Sequence, residues 1–520
     1  MGRLVKILNN HWPLALVIFL SSLLRIWRIE ELFYFTYDES IPAFVGRRLI
    51  LWGHIPLIGG VTPFNFHLAP YFYWLLSLIL IIGKLNPIAW GWAGAIIAMF
   101  TTLMMYLVGK TFANYKVGFL AAAFWAFSYL ANIYDRHFWA LYWGPLVSLL
   151  VVFSLFKIIK GQEKFVYLLG VVIALAIHAD PSNLVFLILA LVVWKIYKLK
   201  VKKSTLIAVS FIVISFLPLI IFDIRHDFAN TKPVIDFWKQ GRNIPSFHLE
   251  KFINNSLIFP RALTRLIYTF GDNEISKQYS YCRTFVREKF QAIPWYLISL
   301  SSVILISFVM KHLRGGRMDS SEVGFRLIGL LVVLYFIGIQ LYGTIFKADI
   351  FEHYIAGIFA VFLLIFAKIV SLLPRNLWLL ALAIFVVFNL YKLVNAKNSM
   401  GLSYKKQAIE YAMQQVENKD FSLDSLSTCW KYSGYRYLFA VFGREPVKSY
   451  VDPNFAYLYG TTQVAEKHPP TVVTFVIHDF VPETKAFYQR YALSKSHEVK
   501  SALFGNIEVI IMDNSTGWFD

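Results

Sequence analysis

Long apolar segments alternate with short polar ones over about the first 395 residues. Many of these segments run for roughly 17–25 residues, the length of an α-helix that crosses a ~30 Å hydrocarbon layer. Their approximate bounds, in chain order, are 12–30, 69–83, 88–109, 117–134, 138–156, 165–177, 182–197, 204–222, 293–310, 323–343, 353–371 and 376–394. The pattern predicts an all-α polytopic membrane domain over residues 1–395.

The pattern changes after about residue 395. SYKKQAIEYAMQQVE has the period of an amphipathic helix, and we expect Lys405 and Lys406 on its polar side. TVVTFVIHDF and NIEVIIMDN are apolar, β-rich runs bounded by turn residues. We therefore predict a soluble α/β domain over residues 396–520. It contains no G-x-G-x-x-G, G-x-x-x-x-G-K-[ST] or C-x-x-C motif, so nothing in it indicates a nucleotide site.

Basic residues concentrate in the N-terminus and in four short segments after residues 109, 156, 194 and 310. The positive-inside rule places all five in the cytoplasm. The five basic segments lie on one side of the membrane only if the segment 69–83, which begins LAPYFYW, does not cross it. We therefore predict about eleven transmembrane helices, with 69–83 lying in or re-entering the membrane surface. The N-terminus is then cytoplasmic and the C-terminal domain extracytoplasmic. The short loops favour a prokaryotic plasma membrane.

The net charge of +19 would suggest a nucleic-acid partner in a soluble protein, but 58% of the residues are hydrophobic and only 16% are charged. Because loop Lys and Arg account for the excess, we predict no nucleic-acid binding. The two cysteines, Cys282 and Cys429, exclude a disulfide framework and a Cys-rich metal site. A single bridge between them is not expected.

In this orientation, acidic residues and histidines lie at the outer ends of successive helices. They lie in an outer loop of about 33–87, in YDRHFW, in HADPSN, in a long outer loop of about 223–292 and in KADIFEHY. Ionisable groups at membrane depth are costly and usually mark functional sites. The loop 223–292 is too long for a plain connection, and NSLIFPRALTRLIYTF predicts interfacial helices within it.

Structural interpretations compete with functional ones at each of these positions. In FTYDESIPAF, Asp38 and Glu39 are candidates for a general base or a metal ligand, whereas Asp38 or Ser40 could cap the next helix, with Pro42 in its first turn. In HADPSN, the favoured interpretation is that Asp180 caps a helix whose first residue is Pro181.

The remaining candidates carry cations. Arg136 in YDRHFW could bind a phosphate with its planar fork or pair locally with Asp135. Arg225 and His226 in FDIRHDF fit a polar-headgroup site or interfacial snorkelling. His353, with Glu352 before it, could face the same cavity or serve a structural role.

The ordered set of motifs resembles the GT-C glycosyltransferases, and within them the family 39 type of protein O-mannosyltransferases and lipid A aminoarabinose transferases. The motifs are YDES after the first span, FHLAPYFYW, YLVGKTFANYKVGFLAAAF, YDRHFW, FDIRHDFANT and EHYIAGIFAVF. His67 stands where the aminoarabinose transferases carry a Glu, which puts a metal role or an amine-sugar specificity of that position in doubt.

This resemblance implies an inverting transferase that uses a polyprenyl-phosphate sugar in the outer leaflet. It implies that Asp38 is the catalytic base with Glu39 beside it, and that Asp135 matches the acidic position of the second loop. It also implies that Arg136 and Arg225 bind the lipid phosphate. A divalent metal, with Asp38 and Asp135 as ligands, stays open. The acceptor, whether protein, lipid or glycan, is not defined by the sequence.

A transporter or flippase of a lipid-linked or anionic substrate is the main alternative. Such a protein needs charged residues deep within its spans. Here the acidic residues lie at the outer ends of the helices and not within the spans. This position favours chemistry on a substrate that is dissolved in the membrane.

Overall fold

The computed structural model describes most of the chain. The described residues are 2–62, 65–137, 139–239, 248–278, 289, 291–314, 319–346, 350–429, 434–460 and 463–519. The C-terminal cysteine Cys429 lies within them, whereas Cys282 lies outside.

The first 394 residues form a helical body. Its α-helices are α1 Gly2–Ile26, α2 Ile29–Leu32, α3 Tyr37–Trp52, α4 Tyr71–Ile82, α5 Ile88–Phe112, α6 Tyr115–Phe127, α7 Tyr129–Arg136, α8 Gly144–Ile159, α9 Phe165–Ile177, α10 Leu184–Ile196, α11 Lys203–Ile214, α12 Leu217–Arg225, α13 Lys232–Lys239, α14 Leu249–Ile267, α15 Trp295–Leu313, α16 Ser320–Phe346, α17 Phe359–Val370 and α18 Arg375–Val394. Three short 3-10 helices join them, η1 Pro181–Asn183, η2 Ile275–Lys277 and η3 Glu352–Ile358. Each predicted apolar segment overlaps one of these helices, or two where a helix is interrupted.

Six helices in the described part of the chain are long and apolar enough to cross a membrane, by length and composition. They are Ile88–Phe112, Lys203–Arg225, Trp295–Leu313, Ser320–Gly343, Glu352–Val370 and Arg375–Val394. The pair α6 and α7, bent by 61° at its break, would be a seventh. The structure therefore supports a multi-pass membrane protein, and the predicted count of eleven spans is not confirmed. The segment 69–83, predicted not to cross, contains the twelve-residue helix α4.

Helices α5 and α6 pack against each other over much of their length. A Cβ atom on Gly118 would lie 2.5 Å from the Tyr106 carbonyl oxygen, so α5 and α6 approach each other at backbone distance. The bend between α6 and α7 falls at Ser128, whose hydroxyl donates to the Leu266 carbonyl at 2.8 Å. This bond satisfies a polar group at the break and ties α7 to α14.

The C-terminal part has α/β structure. It contains helix α19 Leu402–Val416, helices α20 Tyr435–Phe442, α21 Asp452–Phe455 and α22 Lys485–Ser496, the 3-10 helix η4 Ala456–Leu458, and strands β1 Phe421–Leu426, β2 Lys448–Ser449, β3 Thr471–Ile477, β4 Glu498–Phe504 and β5 Ile507–Asp513. The sheet order is β2-β1-β3-β5-β4, with β1 parallel to β2 and β3, and β5 antiparallel to β3 and β4. The predicted helix and the two predicted strands are confirmed.

This α/β part packs directly on the helical body. The Leu402 amide donates to the Phe33 carbonyl at 3.2 Å, and the Tyr437 hydroxyl donates to the Leu85 carbonyl at 2.7 Å. Gly434, with a φ of 73°, approaches so closely that a Cβ would lie 2.9 Å from the Thr36 carbonyl oxygen. The α/β part therefore covers the start of α3, where the acidic pair lies.

Candidate active site

Helix α3 begins at the acidic pair, and its cap uses one of the two carboxylates. Thr36 is the N-cap, and Glu39 Oε2 accepts hydrogen bonds from the Thr36 backbone N–H at 2.9 Å and from its hydroxyl. This is a capping box, in which the third helical residue returns to the cap. The prediction that Asp38 or Ser40 caps the helix is wrong. The sequence Thr-Tyr-Asp-Glu carries the spacing that would have identified Thr36.

Glu39 is buried with a histidine from the second loop. Both Glu39 and His137 are 1% exposed, and Glu39 Oε1 contacts His137 Nε2. The rings of Tyr34 and Tyr142 flank the imidazole at 5.7 and 5.0 Å between centroids. Burial raises the pKa of Glu39 to about 7, and the hydrogen bonds from Thr36 oppose this shift.

Asp38 differs from its neighbour because it is exposed to solvent. Among the described residues, none donates a hydrogen bond to its carboxylate or forms an ion pair with it. Tyr73 of α4 and Tyr354 of η3 lie within electrostatic range. Desolvation by the surrounding protein, followed by the charge of Glu39, raises the pKa of Asp38 to about 7. Asp38 can therefore exchange a proton with a bound molecule near neutral pH.

Asp135 is engaged by an arginine that the sequence did not single out. Asp135 Oδ2 accepts hydrogen bonds from Arg25 Nε at 2.9 Å and Nη2 at 2.7 Å. Arg25 is fully buried and also donates to the Ala126 carbonyl at 2.7 Å. The pair therefore joins α1 to α6 and α7.

Arg136 caps the end of helix α1. Its Nε donates to the Arg25 carbonyl at 3.1 Å, and its Nη2 donates to the Leu24 carbonyl at 2.6 Å and the Trp27 carbonyl at 3.2 Å. Arg136 is 1% exposed. An arginine at a helix C-terminus satisfies carbonyls that lack partners within the helix.

The acidic residues do not fit a metal centre in this arrangement. Asp135 faces Arg25 rather than Asp38, and the described residues contain no group of three or more His, Cys, Asp or Glu side chains that could hold a metal ion. We therefore assign no step of the chemistry to a metal at Asp38 and Asp135.

The loop before α17 joins the site from the opposite side. His353 packs its ring on Trp139 and Phe351, at 5.3 and 5.5 Å between centroids, and lies within electrostatic range of His137. Glu352 pairs with Arg265 of α14, whose Nη1 lies 2.5 and 2.6 Å from its two oxygens. His353 therefore lies near His137, which in turn contacts Glu39. Arg265, within an amphipathic helix, was missed.

The other predicted residues belong to loops beside this cluster. His67 donates its backbone N–H to Asn230 Oδ1 at 2.6 Å, and its ring forms a hydrogen bond with the Gly59 carbonyl at 3.0 Å, so it links Gly59 to the segment after α12. Arg225 and His226 are exposed at the end of α12, with His226 stacked on Phe222. Among the described residues, no hydrogen bond, ion pair or ring contact joins Arg225 or His226 to the acidic pair.

Asp180 has the role that the sequence predicts. Its Oδ1 accepts a hydrogen bond from the Ser182 N–H at 2.8 Å and caps η1, whose first residue is Pro181.

Two features of the α/β part were not foreseen. Lys405, expected on the polar side of its helix, is 2% exposed and reaches the segment before α3. Cys429 is disulfide-bonded, contrary to the expectation that no bridge forms, and Cys282, the only other cysteine in the sequence, lies outside the described residues. The period of a helix shows which residues share one of its faces. It does not show whether another part of the protein covers that face.

Comparison with known proteins gives likenesses in structure alone. No family model and no curated protein matches the chain. ArnT from Cupriavidus metallidurans in the apo state is similar over 97% of this chain and 98% of that chain, at 12% identity and a TM-score of 0.46. The same protein bound to undecaprenyl phosphate is similar over 96% and 97%, at 10% identity and a TM-score of 0.41.

An archaeal enzyme is similar to a comparable extent. The oligosaccharyltransferase AglB from Archaeoglobus fulgidus, in complex with an inhibitory peptide and a dolichol-phosphate, is similar over 90% of this chain and 70% of that chain, at 12% identity and a TM-score of 0.45. All three structures have TM-scores below 0.5 and identities of 12% or less. At these scores the likeness defines no donor, acceptor or catalytic residue.

Proposed function

We propose that this protein is an integral-membrane glycosyltransferase. It moves a sugar from a polyprenyl-phosphate donor to an acceptor at the extracytoplasmic face, with inversion at the anomeric carbon. The observation that carries the proposal is Asp38, a solvent-accessible carboxyl without a protein partner among the described residues, beside a buried carboxyl that is held in place. Its pKa of about 7 suits a general base at neutral pH.

The chemistry requires one proton acceptor and one leaving group. The acceptor oxygen or nitrogen attacks the anomeric carbon while the bond from that carbon to the phosphate oxygen breaks. The lipid phosphate leaves with the electron pair, and Asp38 takes the proton of the acceptor. Attack in line with the leaving phosphate inverts the anomeric carbon, and the enzyme contributes chiefly by positioning and electrostatics.

Glu39 and His137 position Asp38 by fixing the first turn of α3. We propose Arg225 and His226 as ligands of the donor phosphate, because they are exposed and cationic or titratable, with His353 as a further contact. The disulfide at Cys429 supports an extracytoplasmic location for the α/β part, since disulfides persist in oxidising compartments.

The proposal is tested with purified wild type, Asp38→Asn and Glu30→Gln in nanodiscs, given radiolabelled polyprenyl-phosphate sugars and a crude envelope extract as acceptor. Glu30 is an exposed carboxylate upstream of α3 and serves as a matched control. We expect wild type and Glu30→Gln to release the sugar from the lipid and Asp38→Asn to lose activity by about 10²–10⁴-fold, the usual contribution of a general base.

Equal turnover by wild type and Asp38→Asn would remove Asp38 from the mechanism and leave the activity intact. If wild type consumes no polyprenyl-phosphate sugar but moves one across proteoliposome membranes, the flippase alternative replaces the transferase.

A further inference from the structure

Lys405 is a lysine of the α/β part that is buried against the start of helix α3. It lies in the first turn of α19 and is 2% exposed. Its Nζ donates to the Phe35 carbonyl at 2.5 Å. The rings of Tyr34 and Tyr435 lie 5.8 and 5.3 Å from the ammonium nitrogen. A lysine is rarely buried so completely unless its charge is compensated.

The segment that Lys405 contacts is the one that leads into the acidic pair. Residues 33–36 are not helical and connect α2 to α3. The carbonyls of Phe33 and Phe35 accept bonds from two groups of the α19 N-terminus, the Leu402 N–H and the Lys405 ammonium. One turn of one helix therefore holds two alternate carbonyls of the segment before Thr36.

The ammonium also lies within electrostatic range of the Glu39 carboxylate. Glu39 in turn bonds the Thr36 amide and contacts His137. Lys405 thus contacts the backbone before the N-cap Thr36. It also acts electrostatically on Glu39, which completes the capping box. Both effects converge on the first turn of α3, which carries Asp38.

We propose that Lys405 is a positioning residue through which the α/β part completes the active site of the helical body. The proposal rests on the proposed function. It states that Lys405 sets the orientation of Asp38 through Phe35 and Glu39 and does not touch the substrate. The α/β part is then required for the chemical step as well as for the fold.

The test compares Lys405→Met, Lys405→Gln and Lys406→Met with wild type in nanodiscs. Lys406 is the adjacent lysine, exposed and only 3.9 Å from Glu410 in an exposed pair, so it controls for loss of a lysine on the same helix. Lys405→Gln retains a hydrogen-bond donor for the Phe35 carbonyl but lacks the charge. Binding of the labelled donor and turnover are measured separately, with size-exclusion profiles as the check on folding.

We expect kcat of Lys405→Met to fall by about tenfold or more while KM for the donor changes less than about threefold, because small misplacement of a catalytic group affects the reacting geometry rather than ground-state binding. Lys406→Met should match wild type. In a Glu39→Gln background the effect of Lys405→Met should shrink, because both residues act through the same turn.

Full kcat in a folded Lys405→Met protein would overturn the proposal, as would purely additive losses with Glu39→Gln. If Lys405→Met does not fold, Lys405→Gln decides: wild-type kcat in that variant removes the role of the charge, and a reduced kcat with unchanged donor KM supports it. Absence of turnover in wild type would instead reject the proposed transferase, so the two failures are distinguishable.

Discussion

Asp38 and Asp135 occupy similar positions in the sequence and very different ones in the structure. Each stands beside a second ionisable residue and comes shortly after a long apolar segment. The Asp135 side chain is 4% exposed and bound by Arg25 through two N–H groups. Asp38 is exposed to solvent and, among the described residues, has neither an ion-pair nor a hydrogen-bond partner.

The difference separates a carboxylate that holds the fold from one that is available for chemistry. A buried ion pair must be complete, because removing one partner leaves an uncompensated charge. A desolvated carboxylate without a partner keeps its proton to higher pH and can exchange it with a ligand. The neighbours of the two residues show the same contrast, since Arg136 is bound to α1 carbonyls while Glu39 holds the helix that presents Asp38.

The largest predicted effect comes from disrupting the ion pair of Asp135 with Arg25. Asp135→Asn leaves Arg25 buried without its counter-charge, and we expect a loss of about 3–5 kcal/mol of stability. Thermal unfolding in detergent and the yield of monodisperse protein measure this loss. Asp38→Asn, which removes no protein contact, should unfold at or above the wild-type temperature.

A double variant that lacks both charges tests whether the uncompensated charge of Arg25 causes this loss of stability. Arg25→Met with Asp135→Leu replaces the pair by apolar side chains of similar size and should be more stable than Asp135→Asn alone. A double variant no more stable than the single one would show that the pair contributes through geometry rather than through charge compensation.

The next effect concerns pH. In the proposed mechanism Asp38 acts as a base, and desolvation and the charge of Glu39 raise its pKa to about 7. The value of kcat/KM should therefore rise about tenfold per pH unit below 7 and level off above it. The residual activity of Asp38→Asn should lack this rise. A wild-type profile that is flat between pH 5 and 8, over a range where the protein stays folded, would contradict the assignment of Asp38.

The same shift has a consequence of opposite sign for stability. Folding raises the pKa of Asp38 from 3.8, so the folded state binds the proton more tightly than the unfolded chain. Ionisation therefore costs stability as pH rises from about 4 to 7. The unfolding temperature of Asp38→Asn should exceed that of wild type most clearly at pH 8, and the difference should vanish near pH 4.

The smallest effect concerns the cap of α3. Thr36→Ala removes the hydroxyl that donates to Glu39, and caps of this type contribute about 1 kcal/mol. We expect a small drop in unfolding temperature together with a larger drop in kcat, since the freed turn carries Asp38. Thr36→Ser, which keeps the hydroxyl, should resemble wild type, and equal losses in both variants would exclude the cap as the cause.

Periodicity and local rules predicted the parts of this protein that depend on near neighbours in the chain. The apolar segments became helices, SYKKQAIEYAMQQVE became α19, and TVVTFVIHDF and NIEVIIMDN supplied β3 and β5. Asp180 caps η1 as its Asp-Pro sequence predicts, because a cap involves residues two or three positions apart.

The partners of the charged residues could not be predicted in this way. Asp135 pairs with Arg25, which lies in a different helix, and not with the adjacent Arg136. Glu352 pairs with Arg265, and Glu39 contacts His137. The exposure of Lys405 was predicted from a helical period, which takes no account of another domain on the same face.

The sequence by itself thus determined the membrane character, the helices and the strands, because hydrophobic burial and capping act along the chain. Only the tertiary structure decided which ionisable groups are neutralised by a partner and which remain available. That outcome depends on the distance and solvation of groups far apart in sequence, which paired Asp135 with Arg25 and left Asp38 exposed and without a protein partner among the described residues.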